Sequence, residues 1–357
     1  MALDVFADGD TQRAASDSYR VKFEHGRFDA VDFERVIKQI GSFNNSQQAI
    51  DFVYGSGFEA APELLPIAAN YFRLLGNQAE TLRQMKAPDT FFAWLQKLHI
   101  PHPEVSFLPL ENATGWLQKA AGGSGGTHID RARPGFAPNA EAYFQREVAG
   151  LPISFLFAAD GRQIQVIGFN RQWLAPAAAM PYRYGGAVSH WPLPKSIQQQ
   201  LICAAQKLTE AVGLRGLNSL DAMLQEEQLW VLEVNPRLSA SFDLYAMDLE
   251  QTNLDQTNSG SLFDVHLNAC HGELSHWQPV KQAKAHHIVY APWRLQAPET
   301  TFWPEWVADL PLPNSLIPAD HPVCTVLAVA DDAEAARDLV LSRADALISM
   351  IKTQQRK

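Results

Sequence analysis

The sequence has few cysteines and no long apolar run, and both absences exclude whole classes of protein. Cys203, Cys270 and Cys324 are far apart and odd in number, which argues against a disulfide framework and indicates a reducing compartment. No stretch approaches the roughly 20 apolar residues of a membrane-spanning helix. The first residues lack a basic segment followed by an apolar one, so we expect no secretory signal peptide. These features predict a soluble cytoplasmic protein.

Positive charge is also scarce. The 357 residues contain 29 Lys and Arg against 39 Asp and Glu, for a formal net charge of -10. This balance argues against nucleic acid or an anionic membrane as the main partner, although cations placed locally can still bind a nucleotide. Hydrophobic residues make up 46% of the chain, and its length suits two or three packed units. The oligomeric state stays open on the sequence, with a homodimer as one candidate.

Hydrophobic periodicity predicts a mixture of helices and strands. Residues 87–98 and 196–212 have the spacing of helices. Residues 153–170 alternate apolar and polar around Asp160-Gly161, which predicts a hairpin. We expect a closing helix that begins after an aspartate at 331 or 332 and ends near residue 350.

The segment from Leu220 to Arg237 carries the most informative chemistry. Glu233 and Asn235 are two residues apart on an apolar strand, so their side chains leave the same face. If the connecting turn centres on Glu226, Asp221 on the preceding strand lies opposite Glu233. The pattern therefore predicts one face with two carboxylates and an amide.

The same register places Met223 opposite Val231 on that polar face. The other face is then uniformly apolar, with Ala222, Leu224, Trp230, Leu232 and Val234. Two carboxylates and an amide oxygen, completed by phosphate oxygens, are ligands that Mg²⁺ takes in nucleotide sites. Arg237 follows Asn235 by two residues and could hold phosphate or carboxylate oxygens in a bidentate way. A hairpin with one solvated face is the alternative.

A glycine-rich loop follows a predicted strand that contains Lys119. Its glycines would let backbone N–H groups approach phosphates closely, and Lys119 would place one positive charge beside them. The loop is not a Walker A motif, because no Gly-Lys-Ser/Thr follows, and it lacks the spacing of a dinucleotide-binding fingerprint. A flexible linker is the alternative. The residues of the loop are Gly122, Gly123, Ser124, Gly125 and Gly126.

Together these parts resemble the ATP-grasp superfamily over about residues 80 to 245. The resemblance rests on Lys119 before the glycines, on Gln145-Arg146-Glu147-Val148-Ala149-Gly150, and on Asp221 twelve residues before Glu233-x-Asn235-Pro236-Arg237. It implies an α/β (α+β) chain with the ATP-grasp fold. The implied units are an N-terminal α/β pre-ATP-grasp domain (1–85), a small subdomain with a glycine-rich lid (86–150), a large subdomain with a magnesium-binding hairpin (151–280) and a small C-terminal α/β extension (281–357).

The resemblance implies ATP as the nucleotide and Mg²⁺ as the metal, with Mn²⁺ left open as a substitute. Lys119 and Lys86 would contact the phosphates, and the glycine-rich loop would cover them. Met223 would lie beneath the adenine. The hinge that hydrogen-bonds adenine, largely through its backbone, would be Gln145, Arg146, Glu147 and Val148.

The metal ligands implied by the resemblance are Asp221, Glu233 and Asn235. Arg237 would steady the acyl-phosphate or its attacking partner, and would act with Lys119 in catalysis. Two departures from the family are visible. Residues 150–154 supply no acidic side chain for the ribose, and relatives usually begin with one more strand and helix, so we expect an altered edge or oligomer at the N-terminus.

Further motifs resemble one branch of ATP-dependent carboxylate ligases. These motifs are Phe6-Ala7-Asp8-Gly9-Asp10-Thr11, Leu75-Gly76-Asn77, Tyr184-Gly185-Gly186-Ala187 and Asn235-Pro236-Arg237-Leu238-Ser239-Ala240-Ser241. Members of the branch are found among archaea and bacteria that use methanofuran and tetrahydromethanopterin as one-carbon carriers. The resemblance implies ligation of an amino acid such as glutamate during assembly of such a carrier.

Three functions stay open on the sequence. The first is a carboxylate–amine ligase that works through an acyl-phosphate and releases ADP and phosphate. The second is a carboxylase-like enzyme that forms carboxyphosphate from bicarbonate, and the third is a nucleotide-binding protein without catalysis. No sequence pattern identifies the residues that bind the substrates. The turn Gly55-Ser56-Gly57 lies between a strand and a helix, where α/β folds bind ligands, but it is as readily a plain turn.

Two groups of histidines have structural explanations. His266, Cys270, His271 and His276 lack the paired spacing of a zinc site, so we favour the end of a surface helix. His286-His287 begins an apolar strand, and alternation predicts that one ring points inward as a hydrogen-bonded core histidine.

Overall fold

The structure is a computed structural model that describes residues 1–24, 26–42, 49–135, 142–246, 261–275, 277–278 and 281–355. Of the residues singled out in the sequence, His276 lies outside these ranges. The α-helices are α1 (Gly9–Ala14), α2 (Ala30–Ser42), α3 (Leu64–Ala69), α4 (Ala79–Lys86), α5 (Pro88–Lys97), α6 (Lys195–Val212), α7 (Leu262–Cys270) and α8 (Ala333–Gln354), and short 3-10 turns cover Ala240–Phe242 and Thr300–Phe302.

The strands alternate with these helices in the first third of the chain and dominate its middle. The strands before the central sheet are β1 (Ala2–Asp4), β2 (Ser18–Arg20), β3 (Phe23–Glu24), β4 (Arg27–Phe28), β5 (Asp51–Val53), β6 (Arg73–Leu75), β7 (Val105–Ser106), β8 (Trp116–Ala120), β9 (Ile129–Arg131) and β10 (Ala142–Arg146). The later strands are β11 (Leu151–Asp160), β12 (Ile164–Leu174), β13 (Tyr184–Val188), β14 (Arg215–Gln225), β15 (Gln228–Asn235), β16 (Ala283–Tyr290), β17 (Leu295–Gln296), β18 (Val307–Ala308), β19 (Leu316–Ile317) and β20 (Pro322–Ala330).

The N-terminal part is built on two small pairs of parallel strands. β1 pairs with β2, and β5 pairs with β6. The apolar residues of α2 recur at helical spacing, so one face of the helix is buried against α3 and the aromatic core of this part. The carboxyl end of β5 leads into the loop Gly55–Glu59, a position where α/β proteins commonly bind ligands.

A four-stranded antiparallel sheet in the order β7-β10-β8-β9 supports the glycine-rich loop. The loop connects β8 to β9. Lys119 on β8 pairs with Tyr143 on β10 and with Ile129 on β9. Because side chains alternate along a strand, Lys119 and Leu117 share one face of this sheet with their partners Tyr143 and Gln145.

The largest sheet has the order β15-β14-β11-β12-β13-β16-β20-β18 within the described residues, and its neighbouring strands are antiparallel. The helix α6 packs on one face through the predicted apolar stripe, and α7 packs against β14 and β11. The helix α8 packs against β16 and β20. The sheet therefore runs across the predicted boundary near residue 280, and the four predicted units stay a prediction.

The predicted helices and the first hairpin are confirmed, and their local causes are visible. The helix α6 ends at Gly213, whose φ of 69° is left-handed and whose N–H donates to Thr209 O at 2.8 Å. The closing helix α8 is capped by Asp332, which accepts from Ala335 N at 2.8 Å. In the turn between β11 and β12, Asp160 accepts from two backbone N–H groups.

The register of the β14–β15 hairpin is confirmed at its polar end and wrong beyond it. Asp221 pairs with Glu233 as predicted, but a bulge at Leu232 then shifts the register. Met223 therefore pairs with Trp230, and not with Val231. The backbone N–H of Val231 donates to Pro101 O at 2.9 Å, outside the hairpin.

The bulge also changes the predicted apolar face of the hairpin. The side chains of Leu229 and Val231 are buried, whereas those of Trp230 and Leu232 are only half-buried. The bulge inserts one residue into β15, which moves the following side chains to the opposite face. Leu229 and Val231 consequently pack in the core with Val234, in place of the predicted Trp230 and Leu232.

The two predictions about histidines have different outcomes. His266 is not at a helix surface, because it is 1% exposed and its Nδ1 accepts from Leu217 N at 3.0 Å. Helix α7 lies against β14, so this face of the helix is internal and the prediction was wrong for His266. His271, which caps the end of α7, is exposed as predicted. His286 points inward as predicted, and its Nε2 lies 2.7 Å from the Tyr184 hydroxyl. No helix in the described ranges combines the length and apolar character that crossing a bilayer requires.

Candidate active site

The polar end of the β14–β15 hairpin gathers two carboxylates, an amide and a lysine. Asn235 Nδ2 donates to Asp221 Oδ2 at 3.0 Å. Lys86, the last residue of α4, donates from Nζ to Glu233 Oε2 at 3.0 Å and to Asn235 Oδ1 at 2.8 Å. The structure thus brings the three predicted metal ligands together and adds Lys86 to them.

The electrostatics of this cluster separate its two carboxylates. Burial, followed by the neighbouring Glu233, raises the pKa of Asp221 well above its usual range. Burial acts in the same direction on Glu233, but Lys86, His128 and Lys119 outweigh it and lower the pKa of Glu233. Without a bound metal, Glu233 is therefore the more readily ionised member of the pair.

A second layer of polar side chains extends from this cluster across the sheet. Gln172 on β12 donates from Nε2 to Asp221 Oδ1 at 3.2 Å. Asn170, two residues earlier, is buried and contacts Ser154 Oγ and the Tyr245 hydroxyl. Sequence reasoning missed Gln172 and Asn170, because their proximity to Asp221 depends on the sheet order and not on local spacing.

Lys119 lies buried on the face of its sheet that carries Tyr143. Burial lowers the pKa of Lys119 to about 8, although Glu233 and Asp221 act in the opposite direction. The lysine is therefore close enough to the hairpin carboxylates to interact with them. This position agrees with its predicted role beside nucleotide phosphates, which stays a prediction.

The glycine-rich loop has conformations and contacts that require glycine at particular positions. Gly122, Gly125 and Gly126 have φ values of 68°, 66° and 71°, in the left-handed region. A Cβ on Gly126 would overlap with Tyr182 O, so the backbones approach too closely for a side chain. A hydrogen bond also ties the loop to β13, since Tyr184 N donates to Gly125 O at 2.9 Å. Gly123 packs against the ring of His128.

The loop and the hairpin line one small cavity. Lys86, Glu233, Gly122, Gly123 and His128 all contribute to its walls, and Tyr143, Phe91, Phe92 and Leu232 supply apolar surface. The structure therefore brings part of the predicted phosphate-covering loop to the same small cavity as Glu233, one of the three predicted metal ligands. His128 was not assigned a role from the sequence, although it follows the loop by two residues.

The predicted adenine hinge occupies the end of β10 and the turn after it. Gln145 is 1% exposed, and its Nε2 is buried without a hydrogen-bond partner among the described residues. Arg146 is exposed and lies over the Trp116 ring, while Glu147 accepts from the Tyr182 hydroxyl at 2.6 Å.

Beyond the hinge, the chain passes directly to the strand beside Met223. Val148 is half-buried. Pro152 on β11 pairs with Met223 on β14, and Met223 shares a face of β14 with Asp221. Met223 and the predicted metal ligand Asp221 therefore share a face of β14, beside the strand that follows the predicted hinge.

Arg237 contacts other groups of the protein, and it meets a carboxylate through one nitrogen and not in the bidentate way that the sequence suggested. Its Nε donates to Glu59 Oε1 and its Nη1 donates to Leu238 O at 2.9 Å. Both side chains of this ion pair are buried, at 8% and 2% exposure. Burial would raise the pKa of Glu59, but Arg237 and Lys86 outweigh it and lower that pKa. The N-terminal loop thus reaches the end of the hairpin.

A cavity of about 910 Å³ is lined in part by Glu59 of this ion pair. It is lined by the Gly55–Glu59 loop, by Gly122 and Ser124 of the glycine-rich loop, and by apolar residues of the N-terminal part. Its volume is within the range of small-molecule sites. The predicted turn Gly55-Ser56-Gly57 therefore lines a cavity that joins the glycine-rich loop.

Comparisons with known proteins agree with this geometry. Residues 90–241 match the family of the ATP-grasp domain. The structure is similar to an N5-carboxyaminoimidazole ribonucleotide synthetase from Thermotoga maritima, with a TM-score of 0.65 at 13% identity over 96% of this chain and 90% of that one. The chain has the ATP-grasp fold.

Two other solved structures share this fold. The biotin carboxylase domain of a Hydrogenobacter thermophilus 2-oxoglutarate carboxylase, in complex with MgADP, ADP and bicarbonate, has a TM-score of 0.69 at 12% identity and covers 96% of this chain and 83% of that one. An L-amino acid ligase from Bacillus licheniformis has a TM-score of 0.64 at 12% identity and covers 97% of both. The search of curated proteins found no match.

The donor set of this ATP-grasp fold fits Mg²⁺. Asp221, Glu233 and Asn235 offer oxygen atoms, which Mg²⁺ prefers, and two of those oxygens already face the positive charge of Lys86. Within the part of the chain that the structure describes, no group of three or more His, Cys, Asp or Glu is placed to hold a metal. The predicted set therefore depends on its amide and on phosphate oxygens of a nucleotide.

Proposed function

We propose that this chain is an ATP-dependent ligase that joins a carboxylate to an amine through an acyl-phosphate. The observation that carries the proposal is the convergence of Asp221, Glu233 and Asn235 with Lys86. Two members of this cluster, Lys86 and Glu233, line a small cavity together with the glycine-rich loop. Such an arrangement can neutralise phosphate charge and cover a reactive intermediate. The buried Nε2 of Gln145 is available to a polar ligand at the hinge.

In the proposed reaction, a substrate carboxylate oxygen attacks the γ-phosphorus of ATP. The bond from that phosphorus to the β–γ bridging oxygen breaks, and ADP leaves. The amine nitrogen then attacks the acyl carbon, phosphate leaves with the electron pair of the broken bond, and the nitrogen gives its proton to solvent. The protein's task is to position the reactants and stabilise charge.

Each role falls to a residue whose position supports it. Lys86 and Lys119 would offset phosphate charge, and Arg237 would stabilise the transferred group. Asp221, Glu233 and Asn235 would hold Mg²⁺, with Mn²⁺ as a substitute; the bound ion would neutralise charge on the phosphate oxygens. The glycine-rich loop, seated on backbone groups of its neighbours, would keep water away from the acyl-phosphate.

For the substrates, we propose an amino acid such as glutamate, added during assembly of a one-carbon carrier of the methanofuran or tetrahydromethanopterin type. The support is the sequence resemblance of the four branch motifs. One of them includes Asn77, which bonds Pro236 O and thereby ties the N-terminal part to the end of the hairpin. The large cavity beside Gly55–Glu59 has room for one of the two substrates.

A carboxylase-like reaction is the second candidate, because a biotin carboxylase domain solved with bicarbonate shares this fold. The two reactions differ in what they require. An ADP-release assay with Mg·ATP and panels of acids and amines should detect turnover that needs an amine. Turnover that needs bicarbonate would favour the carboxylase, and ATP binding without turnover on any panel would favour a protein without catalysis.

A matched pair of variants on one hairpin tests the metal ligands. Glu233→Ala should abolish ADP release even after correction for the folded fraction, which the loss of the Lys86 partner lowers. Glu227→Ala in the exposed turn should leave ADP release unchanged. Wild-type turnover by Glu233→Ala would remove that residue from the metal set. A thermal-shift screen precedes the assay, because a ligand that binds only the folded protein raises its apparent stability.

A further inference from the structure

Glu59 is a buried acid in the loop that follows β5. Its side chain is 2% exposed. One oxygen, Oε1, accepts from Arg237 Nε, and the other, Oε2, accepts from Gly57 N at 2.7 Å. Both carboxylate oxygens are thus engaged, one by its own loop and one by Arg237, two residues past the end of the β14–β15 hairpin.

The backbone of Glu59 contacts a second part of the site. A Cβ built on Gly122 would lie 3.0 Å from Glu59 O and 3.1 Å from Ala60 Cα, so the glycine-rich loop rests on this peptide. Glu59, Gly122 and Ser124 also line the cavity of about 910 Å³. Glu59 therefore touches the cavity, the glycine-rich loop and Arg237 at once.

Stability alone is a poor explanation for this ion pair. Removing two charges from water is costly, and a buried pair often contributes no more than apolar side chains of similar volume. What the pair provides is geometry, because a guanidinium bonded at Nε by a fixed carboxylate has few orientations. Leu238 O at 2.9 Å from Nη1 restricts it further.

We propose that Glu59, which lines the large cavity, is a positioning residue for Arg237. The cavity and the glycine-rich loop both contact Glu59, the loop through the Glu59 backbone, so a substrate in the cavity or a shift of the loop would act on the residue that holds Arg237. The inference rests on the proposed function for the catalytic role of Arg237. The ion pair itself can be tested without that function.

The kinetic test uses Glu59→Gln, which keeps the shape and an acceptor oxygen but removes the charge. With the acid and amine that the ADP-release screen identifies, kcat and kcat/KM should both fall by about 100-fold, because misplacing a catalytic group by about 1 Å has that effect. The KM for ATP should change by less than about two-fold. Glu63→Gln, an exposed acid beyond the same loop, is the matched control and should keep wild-type kinetics.

The second measurement needs no substrate. Phenylglyoxal modifies arginine, and the rate at Arg237 can be followed by peptide mass spectrometry. In the wild type, Arg237 is buried and paired, so its modification should be slow. It should become at least about 10-fold faster in Glu59→Gln and stay slow in Glu63→Gln, if the carboxylate holds the side chain in place.

The outcomes separate this inference from the proposed function. If no acid and amine pair supports turnover in the wild type, the proposed function fails, and the modification rate alone decides whether Glu59 fixes Arg237. An unchanged modification rate in Glu59→Gln overturns the inference. It is also overturned if kcat falls only in proportion to the folded fraction, measured by thermal unfolding, because a purely structural role predicts that result.

Discussion

Replacing Lys86 by methionine removes the positive charge that faces the polar side chains of the hairpin. Lys86 Nζ donates to Glu233 and Asn235 at 3.0 and 2.8 Å, and its side chain is 6% exposed. Methionine has a similar length and tolerates irregular surroundings, so the main change is electrostatic. The carboxylates of Asp221 and Glu233 would then remain near one another without that cation.

The magnitude follows from the geometry of the Lys86–Glu233 pair. At 3.0 Å, an effective dielectric constant of about 20 gives an attraction of about 5 kcal/mol. The cost of burying the ammonium opposes this attraction. Water also screens it, because the Glu233 side chain is 37% exposed. We therefore expect Lys86→Met to lower the free energy of unfolding by about 2 kcal/mol.

Urea unfolding in the presence of EDTA measures this fall in the free energy of unfolding. Saturating Mg²⁺ should make the fall smaller, because a bound divalent ion would replace the positive charge of Lys86. Lys352→Met is the matched control. Lys352 lies in the last turn of α8, as Lys86 does in α4, but it is exposed, so we expect less than about 0.5 kcal/mol. A loss below about 0.5 kcal/mol for Lys86→Met in EDTA would refute the electrostatic argument.

Three other perturbations test the loop, a buried amide and a buried histidine. Gly126→Ala should destabilise the protein by at least about 2 kcal/mol more than Gly125→Ala. Both glycines have positive φ, but only Gly126 lies against Tyr182 O. Equal melting temperatures of the two variants would contradict this prediction. Asn77→Leu removes an amide that bonds three backbone or side-chain partners at 2.8–2.9 Å. Urea unfolding should therefore show that the free energy of unfolding falls by about 3 kcal/mol, and a fall of less than about 1 kcal/mol would contradict this prediction. Burial lowers the pKa of His286 to about 4, so its contribution is complete above about pH 6.5 and is lost as the pH falls. Between about pH 7.5 and pH 5 the wild type should therefore lose about 2 kcal/mol more than His286→Gln, and parallel losses would be inconsistent with a buried neutral ring.

The parts of the fold that the sequence predicts are those with local causes. The stripe of α6 ends at Gly213, and the cap of α8 is Asp332, both within a few residues of the pattern that indicates them. The pairing of Asp221 with Glu233 follows from alternation and the length of the turn. The bulge at Leu232 does not, because it accompanies a hydrogen bond from Val231 to Pro101, a residue more than a hundred positions earlier.

In the candidate site too, the residues that are close in sequence were predictable and those brought in from distant parts of the chain were not. Asp221, Glu233 and Asn235 were predictable, because two strands joined by a short turn bring them together. Glu59, which bonds Arg237, lies 178 residues away in sequence. No local pattern marks it as part of the site. A lone acid after a strand is compatible with any solvated loop, and only the packing of the N-terminal part against the hairpin gives it a partner.

The local charges explain how so acidic a chain can suit an anionic nucleotide. Around the hairpin, three carboxylates are matched by three cations: Asp221, Glu233 and Glu59 by Lys86, Lys119 and Arg237. The excess negative charge of the chain is spread over the remaining surface, where salt screens it beyond about 8 Å. A phosphate group under the glycine-rich loop would therefore experience mainly these neighbours, so the net charge of -10 does not oppose ATP binding at this site. The same balance implies that removing any one cation leaves an uncompensated carboxylate, which is why the Lys86 variant should affect stability as well as nucleotide binding.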